Sequence, residues 1–172
     1  CRILCNLTGL KNVYMRQSYT YGDVNRDPGA RVISTAYSAL IKIQNIDRQL
    51  KENHGAHWQS ISRLPDLIFD HNTMVQNALE DLRTQVKFHP VGFELLPEKF
   101  TLVHLQELYE AIYQQPVDKR NFRKKILSMN ILEKLDEKEK ETSKKGAYYY
   151  RFNRDNYMLL RKNGFYFRLD VK

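Results

Sequence analysis

The chain is poor in cysteine: two in 172 residues, Cys1 and Cys5. They stand four apart with no zinc-type partner cluster, which speaks against a disulfide framework and for a reduced, cytoplasmic setting. No apolar run approaches the ~20 residues of a membrane span, so no membrane partner is expected, and no signal peptide is visible. Internal repeats and low-complexity tracts are also lacking, which excludes solenoids and arrays. What is there suits one large or two small domains: 42% hydrophobic residues, enough for a packed core, and a formal charge of +8.

The charge is unevenly spread. Residues 1–94 hold 11 Lys/Arg against 9 Asp/Glu, and residues 95–172 hold 17 against 11. A basic C-terminal half suggests a polyanionic partner, usually nucleic acid, with a merely solvated basic surface as the equal alternative.

Pro90, Gly92 and Pro97, in PVGFELLPEKF, interrupt two helical patterns and set the expected boundary between domains at 1–93 and 94–172. Before it, NVYMRQSYTY (12–21) and RVISTAYSALIKI (31–43) read as strands. Val32, Ser34, Ala36 and Ser38 alternate with Ile33, Thr35, Tyr37 and Ala39. FDHNTMVQNALEDLRTQVKF carries Met74, Val75, Ala78, Leu79, Leu82 and Val86 at helical spacing, with Asp70 or Asn72 as a cap. His54 and His57 lack carboxylate or cysteine company, so no metal site is expected, and Trp58 is expected to pack. The class is α+β.

After the boundary, TLVHLQELYEAIYQQ predicts a helix from Thr101 with Leu105, Leu108, Tyr109 and Ile112 on one face, stopped by Pro116. Asp118 caps a second helix, DKRNFRKKILSMN. ILEKL and YYYRF then flank a charged loop, DEKEKETSKKGA, whose Glu-rich DEKEKE portion is expected to face away or lack order. Helix, short turn, helix and two-stranded wing make the order of a winged helix-turn-helix. The tail predicts a short helix ended by Gly164 and a final strand, or a hairpin turning at Asn163–Gly164.

Stepping 100° per residue along the second helix sets Phe122, Ile126 and Met129 on one stripe and Arg120 and Lys124 nearly opposite. Lys119, Asn121 and Arg123 complete a front able to face a groove: Arg offers a fork to guanine, Asn pairs with adenine, Lys neutralises phosphate. Lys144 and Lys145, at the wing tip, are placed for phosphate or the minor groove. The plain alternative is a solvated amphipathic helix.

The first residues, CRILCNLTGL, read as the end of an amphipathic helix closed by Gly9. They resemble the end of the Nudix hydrolase box, R-E-U-x-E-E-x-G-U with U apolar. Arg2, Leu4, Gly9 and Leu10 match, but Ile3, Asn6 and Leu7 stand where the box has glutamates. Those glutamates bind the divalent metal that neutralises a diphosphate and helps activate water. Their replacement implies no hydrolase activity and no metal or other cofactor. YTYGDVNRDPGARVISTAYSAL (19–40), LPDLIFDH (64–71) and residues 89–133 are similar to segments of Nudix-related transcriptional regulators.

That resemblance implies a truncated Nudix-like α/β/α sandwich, its first strands and the front of its box lying upstream, followed by a winged-helix domain. It implies a homodimeric repressor or regulator in the cytoplasm, associated with the bacterial nucleoid, on a double-stranded DNA operator and governed by a small metabolite. One branch of the family responds to ADP-ribose and another to arabinose. Asp23, Arg26, Arg31, Asp70 and His71 are the candidate effector residues, with Arg26–Asp27 as an alternative internal ion pair. Carboxylates suit sugar hydroxyls and arginines suit phosphate; without the metal-binding glutamates a sugar such as L-arabinose is favoured. The competing functions are an ADP-ribose-type pyrophosphohydrolase with an accessory basic domain and a non-specific nucleic-acid binder.

Overall fold

The computed structural model describes residues 2–10, 13–41, 54, 56–140 and 146–169. They form two compact units, Cys1–Glu80 and Asp81–Lys172.

In the first unit, α1 (Arg2–Thr8) ends as its sequence predicts. Gly9 takes φ +71°, the left-handed conformation glycine adopts without penalty, and its N–H reaches Cys5 O at 2.7 Å. β1 (Arg16–Tyr21) and β2 (Ser34–Ser38) pair antiparallel, with Gln17 opposite Tyr37 and Thr20 opposite Thr35. Both strands are shorter than the runs of strand formers that predict them, while the expected alternation holds. Ser34, Ala36 and Ser38 are half-buried, and Ile33, Thr35 and Tyr37 are exposed. Trp58 is 41% exposed, against the expectation that it packs.

α2 (His71–Phe88) is one unbroken helix, and the division between the units falls inside it. This differs from the Pro/Gly boundary at 93/94 because Val86 and Phe93 both lie in the core of the second unit.

The second unit continues through β3 (Phe100–Thr101), α3 (Leu102–Tyr113), α4 (Lys119–Ser128), β4 (Leu132–Glu139), β5 (Ala147–Phe152) and α5 (Arg154–Lys162). The strands form an antiparallel sheet in the order β3-β5-β4. Thr101, the expected start of α3, closes a capping box with His104, and Asp118 Oδ1 accepts the N–H of Asn121 at 2.7 Å, so the predicted cap of α4 is present. Leu105, Tyr109, Phe122, Ile126, Ile131 and Leu169 are almost wholly buried and hold the unit together. The ring centroids of Tyr109 and Phe122 lie 5.5 Å apart and tie α3 to α4.

β4 runs through DEKE to Glu139, so the first four residues of the expected charged loop are strand. Cross-strand pairing with Ala147–Phe152 overrides its poor strand propensity. At the tail, α5 is capped by Asn153 and ended by Gly164 at φ +84°. Gly164 N–H bonds to Arg161 O and Phe165 N–H to Leu160 O, a Schellman ending rather than a hairpin. The expected final strand does not form a ladder. Residues 165–169 carry no regular secondary structure but bury Phe167 and Leu169, and Leu169 N–H bonds to Lys87 O at 2.9 Å.

The Tyr109 hydroxyl is buried and has no hydrogen-bond partner among the described residues. Burial also pushes its ionisation far above that of a free phenol. An unpaired buried donor costs ~1–3 kcal/mol, so Tyr109→Phe is expected to raise the melting temperature. A lower melting temperature by differential scanning calorimetry would show that the hydroxyl is satisfied.

Candidate nucleic-acid interface and polar cluster

The second unit presents α4 outward. Phe122, Ile126 and Met129 are 3%, 0% and 6% exposed, which fixes the apolar back in the core. Lys119, Arg120, Asn121 and Lys124 are exposed on the other side, as the helical spacing requires. Arg123 is half-buried, and its Nε has no partner among the described residues. It therefore sits at the flank of this surface, beside Arg120 and Lys124. Lys144 and Lys145 lie outside the described residues.

The link between α3 and α4 is held by a residue that sequence reasoning missed. Glu110 Oε1 accepts Gln106 Nε2 at 2.9 Å and the N–H of Val117 at 3.0 Å. Gln114 leaves α3 at φ +56°, and buried Val117 anchors the turn before Asp118 starts α4. The Gln106 and Val117 hydrogen bonds hold the Glu110 carboxyl below the usual carboxylate range. The sequence signal was slight: a glutamate in the last turn of a helix, facing the link that follows.

In the first unit, the effector candidates Arg26 and Asp70 meet each other. Arg26 Nε and Nη2 donate to Asp70 Oδ2 and Oδ1 at 2.9 and 2.8 Å, a fork on a carboxylate. Nη1 donates to Ser34 Oγ at 2.7 Å, and the Arg26 side chain is only 5% exposed. The internal partner of Arg26 is thus Asp70, 44 positions away, with Asp27 adding only a weaker attraction. Asp27 Oδ1 accepts the N–H of Gly29 instead, and Asp23 Oδ1 that of Asn25, so both shape the loop between β1 and β2. Asp70 holds the N-cap position of α2, its C=O accepting the N–H of Met74, but its carboxylate goes to Arg26 rather than to a helix N–H, and Asn72 Oδ1 accepts from Leu67 N–H.

Of the remaining effector candidates, Asp23 and Arg31 are exposed on that loop. The His71 ring stands edge-on to Phe69, centroids 6.0 Å apart. A cleft of about 510 Å³ in the second unit, floored by Phe93, Phe100 and Phe152, contains none of these residues.

The fork from Arg26 holds the Asp70 carboxyl below its ordinary value. A carboxylate depressed on folding contributes stability that is complete above its unfolded pKa. That contribution is lost as pH falls through the lower folded value. Arg26 stays charged throughout and adds no pH dependence. Melts of the protein below the ordinary aspartate range, ~pH 4, should therefore show a loss of stability that Asp70→Asn removes. An identical acid limb in the variant would contradict the fork.

The three positions where the resemblance would have glutamates, Ile3, Asn6 and Leu7, are all exposed on α1, while Leu4 and Thr8 are half-buried. Among the described residues no three His, Cys, Asp or Glu gather as metal ligands would, and no helix is long and apolar enough to cross a membrane.

A helix-turn-helix with a β-hairpin behind it, its second helix basic on the outside, is a winged helix of the DNA-binding class. Residues 92–152 match the NrtR DNA-binding winged helix domain. The chain is 29% identical over 158 residues to the ADPR responsive transcriptional repressor NtrR of Acinetobacter baylyi, an alignment covering 91% of this chain and 63% of that relative. This chain thus spans less than two thirds of the curated relative's length. Its fold is similar to Shewanella oneidensis NrtR in complex with a 27mer DNA, with a TM-score of 0.73, 25% identity, and coverage of 99% of this chain and 75% of that one. It is also similar to Shewanella oneidensis NrtR alone, with a TM-score of 0.68, 25% identity, and coverage of 88% and 69%. The chain thus resembles Nudix-related regulators along most of its length, with mixed helices and strands in two small, open sheets.

Proposed function

We propose that this chain is a transcriptional repressor that binds a double-stranded DNA operator through α4 and releases it in response to ADP-ribose. The observation that carries this reading is α4 itself. Its apolar back is sealed in the core of an NrtR-type winged helix, and Arg120, Asn121 and Lys124 are free to meet base edges and phosphates. Repression and ADP-ribose are both in the name of the Acinetobacter relative, and the Shewanella relative was crystallised on DNA. These replace L-arabinose, which neither of these two relatives supports, as the favoured effector.

Asp23, Arg31 and His71 remain the effector residues of this reading. Arg26 and Asp70 act as the brace that holds the loop to the start of α2, because their charges are spent on each other. The protein would act as a cytoplasmic, nucleoid-associated homodimer, with two α4 helices about one turn of DNA apart. ADP-ribose shifts the population only by its differential affinity for the two states; tenfold release needs ~1.4 kcal/mol. Hydrolysis is not part of this reading, since Ile3 and Leu7 cannot ligate Mg²⁺ and one Asn6 amide is a poor substitute for two carboxylates.

The test is a gel-shift titration of the chain's own upstream DNA with ADP-ribose and, separately, L-arabinose, beside a magnesium-dependent ADP-ribose turnover assay. The expected result is specific binding, release by ADP-ribose alone and no turnover. Turnover without specific binding would favour the hydrolase.

A further inference from the structure

The stem of the wing carries a basic site distinct from α4. Tyr148 lies under two ammonium groups at once: Lys134 Nζ is 3.6 Å and Lys138 Nζ 4.5 Å from its ring centroid. All three side chains are exposed.

The strand register creates this arrangement. Lys134 stands opposite Tyr150. In a regular antiparallel ladder, partners step two for two, and Asp136 would then face Tyr148. Instead Lys138 faces Tyr148, across an irregularity between Lys134 and Lys138. A bulge re-aims side chains, and this one sets a cation where a carboxylate would have stood.

The two distances limit the ammonium groups to about 8 Å from each other. The ring attracts each cation, but at that range the cations repel one another. An anion between them removes the repulsion. Three of the wing's carboxylates are engaged elsewhere, and Asp136, exposed between the two lysines, forms an ion pair with neither of them. Glu137 is paired with Lys99, Glu139 is buried, and Glu133 stands opposite Arg151. Directly paired residues share a face of the hairpin, and Tyr150, the partner of Lys134, packs against the core that holds Phe122 and Ile126 of α4. The site is therefore on the helix side of the sheet.

We infer that Lys134, Lys138 and Tyr148 form a phosphate clamp that grips the DNA backbone without reading sequence, Tyr148 holding the two ammonium groups in place. This rests on the reading of the chain as a DNA-binding protein and adds a second contact to the one made by α4.

The test is binding of the protein to its operator and to a random duplex between 50 and 200 mM salt, a range over which phosphate contacts set the slope of log affinity against log salt. Lys134→Gln with Lys138→Gln is expected to weaken both duplexes by the same factor and to make the slope shallower by about 1–2. Tyr148→Leu, which keeps both charges, is expected to weaken both by about 2–5-fold. Lys138→Arg should keep the original slope. An unchanged slope in the double variant, while the unaltered protein binds, would overturn the clamp alone. So would a loss confined to the operator. Failure of the unaltered protein to bind any duplex would overturn both the clamp and the reading beneath it.

Discussion

Arg120→Ala is expected to weaken operator binding by about 5- to 150-fold, ~1–3 kcal/mol, while changing affinity for random duplex by only about twofold. The exposed guanidinium of Arg120 stands in the first turn of α4, on the side opposite Phe122 and Ile126. The first turns of a recognition helix are the part that reaches base edges. A guanidinium fork on guanine contributes to one sequence and little to others, whereas a phosphate contact contributes equally to all. Competition binding with the two duplexes separates these cases, and an equal loss on both would turn Arg120 into a backbone contact.

Ile126→Ala should destabilise the second unit by ~2–5 kcal/mol and lower its melting temperature by on the order of 10 °C or more. Ile126 is fully buried at the back of α4, with Phe122 and Met129 beside it and Tyr109 and Ile131 in the same core. Truncation leaves a cavity that neighbouring side chains fill only in part. The adjacent Leu127 is 44% exposed, so Leu127→Ala should cost ~0.5 kcal/mol or less. Thermal melts of the two variants check the orientation of the helix directly. Similar losses would mean that α4 is rotated from the face assigned to it. DNA binding by Ile126→Ala should fail on both duplexes as the helix loses its seat, unlike the selective loss from Arg120→Ala.

The contrast between these residues and the polar cluster explains what could be read from the chain. The face of α4 was legible because helical periodicity is local: Phe122, Ile126 and Met129 declare the buried side, and Asp118 the start. Gly9 and Gly164 declared helix ends for the same reason, each supplying a left-handed residue. The fork between Arg26 and Asp70 was not legible, because it joins residues 44 apart and no local rule selects Asp70 over Asp27. The wing bulge was hidden too. Register is a property of two strands together, and the run DEKE seen alone reads as part of a charged loop. The tail misled in another way. Phe165, Phe167 and Leu169 alternate as a strand does, but the segment buries Phe167 and Leu169 without joining a ladder.

The resemblance offers ADP-ribose or arabinose as effector, and only side-chain chemistry favours the sugar between them. Pairing of Arg26 with Asp70 removes one of the arginines suited to phosphate and one of the carboxylates suited to hydroxyls. The cluster therefore favours neither ligand class, and ADP-ribose rests on the Acinetobacter relative.

The most direct test of the central claim is fluorescence-anisotropy binding of the protein to DNA from its own upstream region, against a random duplex, at increasing ADP-ribose. The account predicts binding to the upstream DNA at least 10³-fold tighter than to the random duplex, the low end of specific recognition, with ADP-ribose releasing it. Equal affinity for both duplexes, unmoved by ADP-ribose, would contradict it.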